Sequence, residues 1–196
     1  MAKEPLIICG IDEVGRGPLA GPVLAAAVIL PEKLPRFFAT VTDSKKLSPV
    51  QREKLFPLIL DCCQVGIGSA SVEEIDTHNV LQATFIAMQR AFANLPVQPD
   101  KAFVDGNRAP KLPCAIETVI GGDSKVPAIA AASIIAKVTR DRLMVELDKA
   151  FPGYGWARNA GYGTAAHQNG LKNLGVTPHH RRSFAPVTAL LFEDAA

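Results

Sequence analysis

The sequence predicts an α/β fold. Five short apolar runs read as strands, two long segments carry the three- and four-residue apolar spacing of helices, and the breaks between them are rich in glycine, proline and acidic residues. A length of 196 residues suits one compact domain, and 48% hydrophobic with 20% charged residues is ordinary globular composition. A chain of this size buries roughly 70% of its unfolded surface, so it needs no disulfides to hold together.

In chain order, Leu6 to Ile11 reads as a buried strand. Gly15 to Gly17 make a turn, and Val23 to Leu30 form a second apolar strand, which together predict a hairpin. Val65 to Ala70 is a third strand weakened by glycines. Ser71 followed by Glu74 fits a capping box, after which Leu81, Phe85, Met88, Phe92 and Leu95 mark one helical face that Pro96 and Pro99 terminate. Ala102 to Val104 is a short strand running into Asp105. Ala115 to Ile120 is a fifth, ending at Gly121-Gly122-Asp123.

Pro127 opens a second long helix at a favourable first position. Ala128 to Ala132 are nearly all small, which permits close approach to a sheet, and Ile129, Ala132, Ala136, Leu143 and Leu147 mark the inner side. Composition changes from Pro152, beyond which lie Trp156, both tyrosines and three of the four histidines. Short helical patterns near Ala165 to Leu174 and Pro186 to Phe192 complete a C-terminal helical extension. The division is a body over residues 1–151 and an extension over 152–196, packed as one compact domain.

The net charge of +2 and pI near 8.4 only weakly indicate an anionic partner. Basic pairs recur as Lys45-Lys46, Arg108 with Lys111, Arg140 with Arg142, and Arg181-Arg182, each of which alone reads as solvated surface. The four cysteines form no C-x-x-C and fit reduced thiols. The N-terminal apolar run is too short for a signal peptide, and Leu19 to Leu30 is too short to span a bilayer. A cytoplasmic protein with no membrane association is expected.

Asp12, Asp105 and Asp123 each lie at or near the end of a predicted strand. Neighbouring parallel strands would gather such ends at one sheet edge, where ligands bind. Grouped carboxylates repel unless a cation neutralises them, and hard oxygen donors without a Cys/His set point to Mg²⁺ or Mn²⁺. Glu13 adds a fourth acid, although adjacent strand residues face opposite ways. A strand that ends or bulges at Glu13 would relax this. Taken singly, each acid also reads as a strand end, a turn or a helix cap, so pattern alone supports an α/β domain with a candidate acidic site.

Longer blocks carry a resemblance. Gly10-Ile-Asp-Glu-Val-Gly-Arg-Gly-Pro-Leu-Ala-Gly-Pro-Val23 resembles the signature of ribonuclease HII, the type 2 ribonuclease H family. Asp43-Ser-Lys-Lys-Leu-Ser48, Glu74-Ile-Asp76 through Asn79, Val104-Asp-Gly-Asn107, Gly122-Asp-Ser-Lys125, Ala131 through Asp141, Gly161-Tyr-Gly-Thr164 and His180-Arg-Arg-Ser-Phe184 continue it in family order. The spacing of eighteen positions from Asp105 to Asp123 suits the bacterial branch.

The resemblance implies a ribonuclease H-like fold: a mixed five-stranded sheet flanked by helices, with the C-terminal helical segment. It implies cleavage of RNA in RNA–DNA hybrids and incision 5′ of single ribonucleotides in duplex DNA, leaving 3′-hydroxyl and 5′-phosphate ends. Asp12, Glu13, Asp105 and Asp123 are then the catalytic and metal-binding positions, with two Mg²⁺ or Mn²⁺ ions during catalysis and nucleic acid as the partner of a monomer. No clamp-binding tail is obvious in Leu190 to Ala196.

Only the 2′-hydroxyl separates a ribonucleotide from DNA at one site. Gly15 and Gly17 let backbone approach that sugar, and Arg16 can hold the neighbouring phosphate with its planar fork. Tyr162 resembles the family tyrosine that packs on the adjacent deoxyribose. Ser44, Lys45, Lys46, Ser124 and Lys125 complete the expected substrate contacts. Ser133 reads equally as packing, Arg140 as a partner for an acid on its own helix, and Trp156 as packing. His167, His179 and His180 do not make a zinc set. Ala160 and Gly121 stand where many relatives have Lys, and Ala130 where Ser is common. The loss of two lysines should weaken duplex binding and flatten its salt dependence. A hybrid-binding protein without catalysis and another nuclease of the same superfold are the competing readings. The four acids argue against the first, and the glycine-arginine-glycine loop against the second.

Overall fold

The structure is a computed structural model that describes residues 6–193. Residues 1–5 and 194–196, which include the start of the N-terminal run and the end of the tail, lie outside the described residues. In chain order the elements are β1 (Ile8–Val14), β2 (Val23–Ile29), α1 (Pro49–Cys62), β3 (Gln64–Ala70), α2 (Val72–Ala93), β4 (Lys101–Asp105) and β5 (Ala115–Val119). They continue as α3 (Pro127–Ala150), α4 (Trp156–Asn159), α5 (Ala165–Leu174) and α6 (Ala185–Glu193). The sheet order is β3-β2-β1-β4-β5. β1, β2 and β3 pair antiparallel, whereas β4 pairs parallel with both β1 and β5. This is the expected mixed five-stranded sheet. Among the described residues no helix is long and apolar enough to cross a membrane.

One sheet face packs on α2 and the other on α1 and α3. Glycines set these distances. A Cβ on Gly10 would run into the Ala128–Ile129 backbone of α3, and Cβ atoms on Gly66 and Gly68 would strike the Ala91 and Ala87 carbonyls of α2. The glycines that weaken β3 as a strand are therefore what admits α2. For the same reason the helix contacts the sheet through Ala83, Ala87 and Ala91 together with Met88 and Phe92, while Leu81 and Phe85 sit at the margin of the expected face. Its capping box forms as read, Ser71 accepting from the Glu74 amide and Glu74 from the Ser71 amide. Asn79 breaks the helical path with φ of 68° and recaps it, its side chain accepting from the Leu81 and Gln82 amides.

Two elements differ from the sequence reading. β1 begins at Ile8 and runs on through Asp12 and Glu13 to Val14, and Leu6 is exposed. Helix α1 went unread. Ser48 and Gln51 form a complete capping box with Pro49 behind it. Pro57 interrupts its interior, however, and Val50, Leu58 and Leu60 point to solvent, so no apolar period announces it.

The C-terminal segment shares a small core with the β1–β2 loop, built from Leu19, Ala20, Met144, Tyr154, Trp156 and Leu171. Inside it, hydrogen bonds fix the state of two imidazoles. The Thr177 amide donates to His180 Nδ1 at 2.9 Å, so His180 carries its proton on Nε2 and donates to His167 Nε2 at 3.0 Å. That same nitrogen of His167 accepts from Trp156 Nε1, leaving His167 Nδ1–H to donate to the Tyr162 carbonyl. Both rings are neutral. Burial, and then His167 beside it, pushes the His180 pKa down to about 4. The unfolded chain takes up this proton near 6.5 and the folded chain does not. Stability contributed by the neutral ring is therefore complete above pH 6.5 and lost as pH falls from there to about 4, on the order of 3 kcal/mol. Thermal unfolding from pH 7.5 to 4.5 should show a steeper fall in Tm for the native protein than for His180→Asn; parallel curves would contradict the assignment.

Candidate active site

Parallel pairing decides the geometry. Ile11 pairs with Val104 across β1 and β4, so one step further along Asp12 lies beside Asp105 on the neighbouring strand. Asp105 in turn pairs with Val119, the last residue of β5, and the chain turns immediately into Gly122-Asp123-Ser124. Adjacent strands run about 4.8 Å apart, so three carboxylates gather at one edge of the sheet. Asp105 Oδ1 accepts from the Gly122 amide at 2.7 Å, which ties the turn bearing Asp123 back to β4.

Glu13 arrives differently from the sequence expectation. β1 neither ends nor bulges there: Asp12, Glu13 and Val14 pair in unbroken register with Ala26, Ala25 and Leu24. Asp12 therefore faces α3 and is buried, while Glu13 faces the α2 side. Glu13 shares a cleft of about 210 Å³ with Arg16, Thr84, Asp105 and Asn107, and Arg16 Nη1 reaches its Oε1 at 3.4 Å. Closeness to the strand end lets Asp105 interact with acids on both faces.

The electrostatics reflect this crowding. Burial first, then the charges of Glu13, Asp105 and Asp123, hold the Asp12 carboxyl well above the usual carboxylate range. Burial raises Glu13 too, Asp105 adds to it, and Arg16 opposes. Asp123 is raised by burial, then by Asp43 and Asp105, and lowered by Lys45. Among the described residues no group of three or more aspartate, glutamate, histidine or cysteine side chains is placed so as to hold a metal ion as it stands. The donors are nevertheless of the kind a hard divalent cation takes: oxygen only, anionic, and mutually repelling until neutralised.

Around these acids the other predicted residues fall into two groups. Arg16, Gly17 and Tyr162 are exposed near the cleft, with the Tyr162 ring 3.4 Å from where a Cβ on Gly17 would lie. Gly15 beneath them is buried at φ of 93°. Beside Asp123, Lys46 Nζ donates to Ser124 Oγ at 2.9 Å, and Lys45 lies near enough to stabilise the Asp123 charge. Lys125 folds back to the Ile120 carbonyl. Ser44 is buried, its amide donating to Ser133 Oγ, which in turn donates to the Ala130 carbonyl. Ala130 is likewise buried in α3, Gly121 is exposed in left-handed backbone at φ 63°, and Ala160 closes α4 at φ 48°.

Three residues of this region went unassigned or misread in sequence. Asp43, which the sequence gives no role, interacts with Asp123 and raises its pKa. Arg140 is buried and donates to the Ala20, Pro22 and Ala160 carbonyls rather than to an acid of its own helix. Arg181, buried equally, donates to the Gly15, Arg16 and Gly21 carbonyls. An arginine satisfied by carbonyls far away in the chain leaves no local pattern to read.

A sequence profile described as Ribonuclease HII matches residues 9–187. A Ribonuclease HII from Paramagnetospirillum magneticum is 60% identical over 92% of this chain and 91% of its own length. The crystal structure of ribonuclease H2 from Pyrococcus horikoshii superposes with a TM-score of 0.81 at 28% identity, covering 95% of this chain and 97% of that one. Bst-RNase HIII, solved in complex with Mn²⁺, shares the fold at a TM-score of 0.67 and 18% identity, covering 96% and 70%. With the fold and nearly the whole sequence in agreement, the chain belongs to the ribonuclease HII family, endonucleases that act on the RNA of RNA–DNA hybrids.

Proposed function

We propose that this protein incises 5′ of ribonucleotides, both within hybrids and at single ribonucleotides embedded in duplex DNA, with Mg²⁺ or Mn²⁺ held by Asp12, Glu13, Asp105 and Asp123. The observation that carries the reading is the placement of Asp12 beside Asp105, with Glu13 and Asp123 close enough to perturb the same carboxyl. Two bound divalent ions would supply activation of the attacking water and stabilisation of the leaving oxygen, giving 3′-hydroxyl and 5′-phosphate ends. Mn²⁺ in the type 3 neighbour supports a cation of this class.

The chain's own groups supply position and selectivity. Asp12, buried between the other three acids, is the natural shared ligand. Arg16, held near Glu13, can bind the phosphate next to the scissile bond. Gly17 leaves backbone open to the ribose, and the Tyr162 ring beside it offers an apolar face to the following sugar. Lys45, Lys46 and Ser124 form a second phosphate-facing group beyond Asp123, which orients a duplex without reading its sequence.

The direct test is a duplex carrying one ribonucleotide. Incision on its 5′ side is expected with Mg²⁺ or Mn²⁺, none with EDTA, and Asp12→Asn should lower the rate by at least about a hundredfold; native-like cleavage by that variant removes the metal mechanism. Repulsion among the acids has its own signature. In EDTA, Asp12→Asn should raise stability by about 1 kcal/mol, or roughly 2–4 °C in Tm, and this advantage should vanish when Mn²⁺ is added. A lower Tm in EDTA would show that the acids do not strain the apo fold.

A further inference from the structure

We propose that Arg181 is the positioning residue that fixes the Gly15-Arg16-Gly17 loop in the form that recognises a 2′-hydroxyl, with Arg140 bracing the loop's return. This rests on the reading of that loop as the ribonucleotide contact. Arg181 is fully buried and, among the described residues, has no carboxylate partner. Its Nη1 donates to the Arg16 carbonyl at 2.8 Å, its Nη2 to those of Gly15 and Gly21, and its Nε to Gly21 at 3.0 Å. One planar fork thus grips both ends of the β1–β2 loop. Arg140 holds the returning strand through Ala20 at 3.0 Å and Pro22 at 2.9 Å, and adds Ala160 at 2.8 Å.

A buried cation is a poor way to fill space. An apolar side chain of similar volume would avoid the desolvation of a guanidinium, so what Arg181 contributes is direction rather than bulk. Burial and the neighbouring Arg140 push its pKa down to about 9, which still leaves it protonated and able to use every donor at neutral pH.

The direction follows from peptide planarity. In a trans peptide the carbonyl and the next residue's amide point opposite ways. The Gly15 and Arg16 carbonyls turn inward to Arg181, so the amides of Arg16 and Gly17 turn outward. Gly15, at φ of 93°, supplies the left-handed backbone from which successive amides can face one side and form an oxygen-binding concavity. A side chain at Gly15 would also collide with Arg140. Among the described residues no protein acceptor takes either outward amide. The Tyr162 ring borders the same surface beside Gly17, and its own carbonyl is held from behind by His167. Two free donors, a bare Cα and an aromatic wall thus face the position a ribose would take.

Binding measured in EDTA, where no cleavage intervenes, separates positioning from stability. The native protein is expected to prefer a duplex with one ribonucleotide over the same duplex in all DNA. Arg181→Lys keeps the charge but gathers its donors on one nitrogen, which cannot span carbonyls at both ends of the loop, and should lose about tenfold of that preference while its affinity for the all-DNA duplex stays within about twofold. A role in stability alone predicts that both affinities fall together, and that result overturns the proposal. Should the variant fail to fold, hydrogen exchange on the native protein decides: the Arg16 and Gly17 amides should gain protection with the ribonucleotide duplex and not with all DNA, and equal protection overturns it. A native protein with no preference at all would defeat the ribonucleotide reading itself, whereas a native preference retained in full by Arg181→Lys defeats only the positioning claim.

Discussion

Everything in the site depends on the parallel pairing of β1 with β4. That register sets Asp12 against Asp105, and a buried aspartate beside a second one is an unfavourable arrangement for a protein with no cation to neutralise it. The fold bears this because the surrounding packing leaves the strands no other register. Gly10 lies flush against the start of α3, and the small residues from Ala128 to Ala132 keep the helix close to the sheet. A slip by one residue would drive a side chain into that backbone and turn every core residue of β1 to the wrong face. Packing thus holds the buried Asp12 carboxyl beside other acids, an electrostatic strain that a bound divalent ion would relieve.

The glycine-arginine-glycine loop that follows β1 is not free-standing. The Leu19 amide donates to the Gly161 carbonyl, the Gly21 amide to that of His179, and the Arg181 amide to that of Leu19. With the guanidinium contacts, these bonds make the C-terminal segment a frame for the loop. The neutral His167–His180 pair belongs to the same frame through Trp156 and the Tyr162 carbonyl. Residues 152–193 therefore share in shaping the site, and the helical extension is more than an appendage to the sheet.

Much of this was legible in the amino-acid sequence, for physical reasons that also mark where legibility stops. The carboxylates could be placed because strand ends are visible as apolar runs that stop at Asp105 and before Asp123. The capping box at Ser71 and the proline before Ala128 are local signals and reappear as local structure. The break expected at Glu13 is absent, because β1 stays in regular register through Val14 and leaves Asp12 and Glu13 on opposite faces near the strand end. Helix α1 hid behind an interior proline and an apolar pattern without helical period. Asp43, Arg140 and Arg181 act through partners far away in the chain, and a residue whose role is a distant carbonyl or carboxylate leaves nothing in its neighbourhood to read.

Anomalous diffraction from crystals soaked in Mn²⁺ would locate any divalent cation held between the four acids that the chain scatters from Asp12 to Asp123. Manganese is expected at the sheet edge with carboxylate oxygens of Asp12 and Asp105 at about 2.0–2.3 Å, and Glu13 or Asp123 completing its shell. Manganese bound elsewhere, with this edge empty in a crystal that still cleaves its substrate, would contradict this placement.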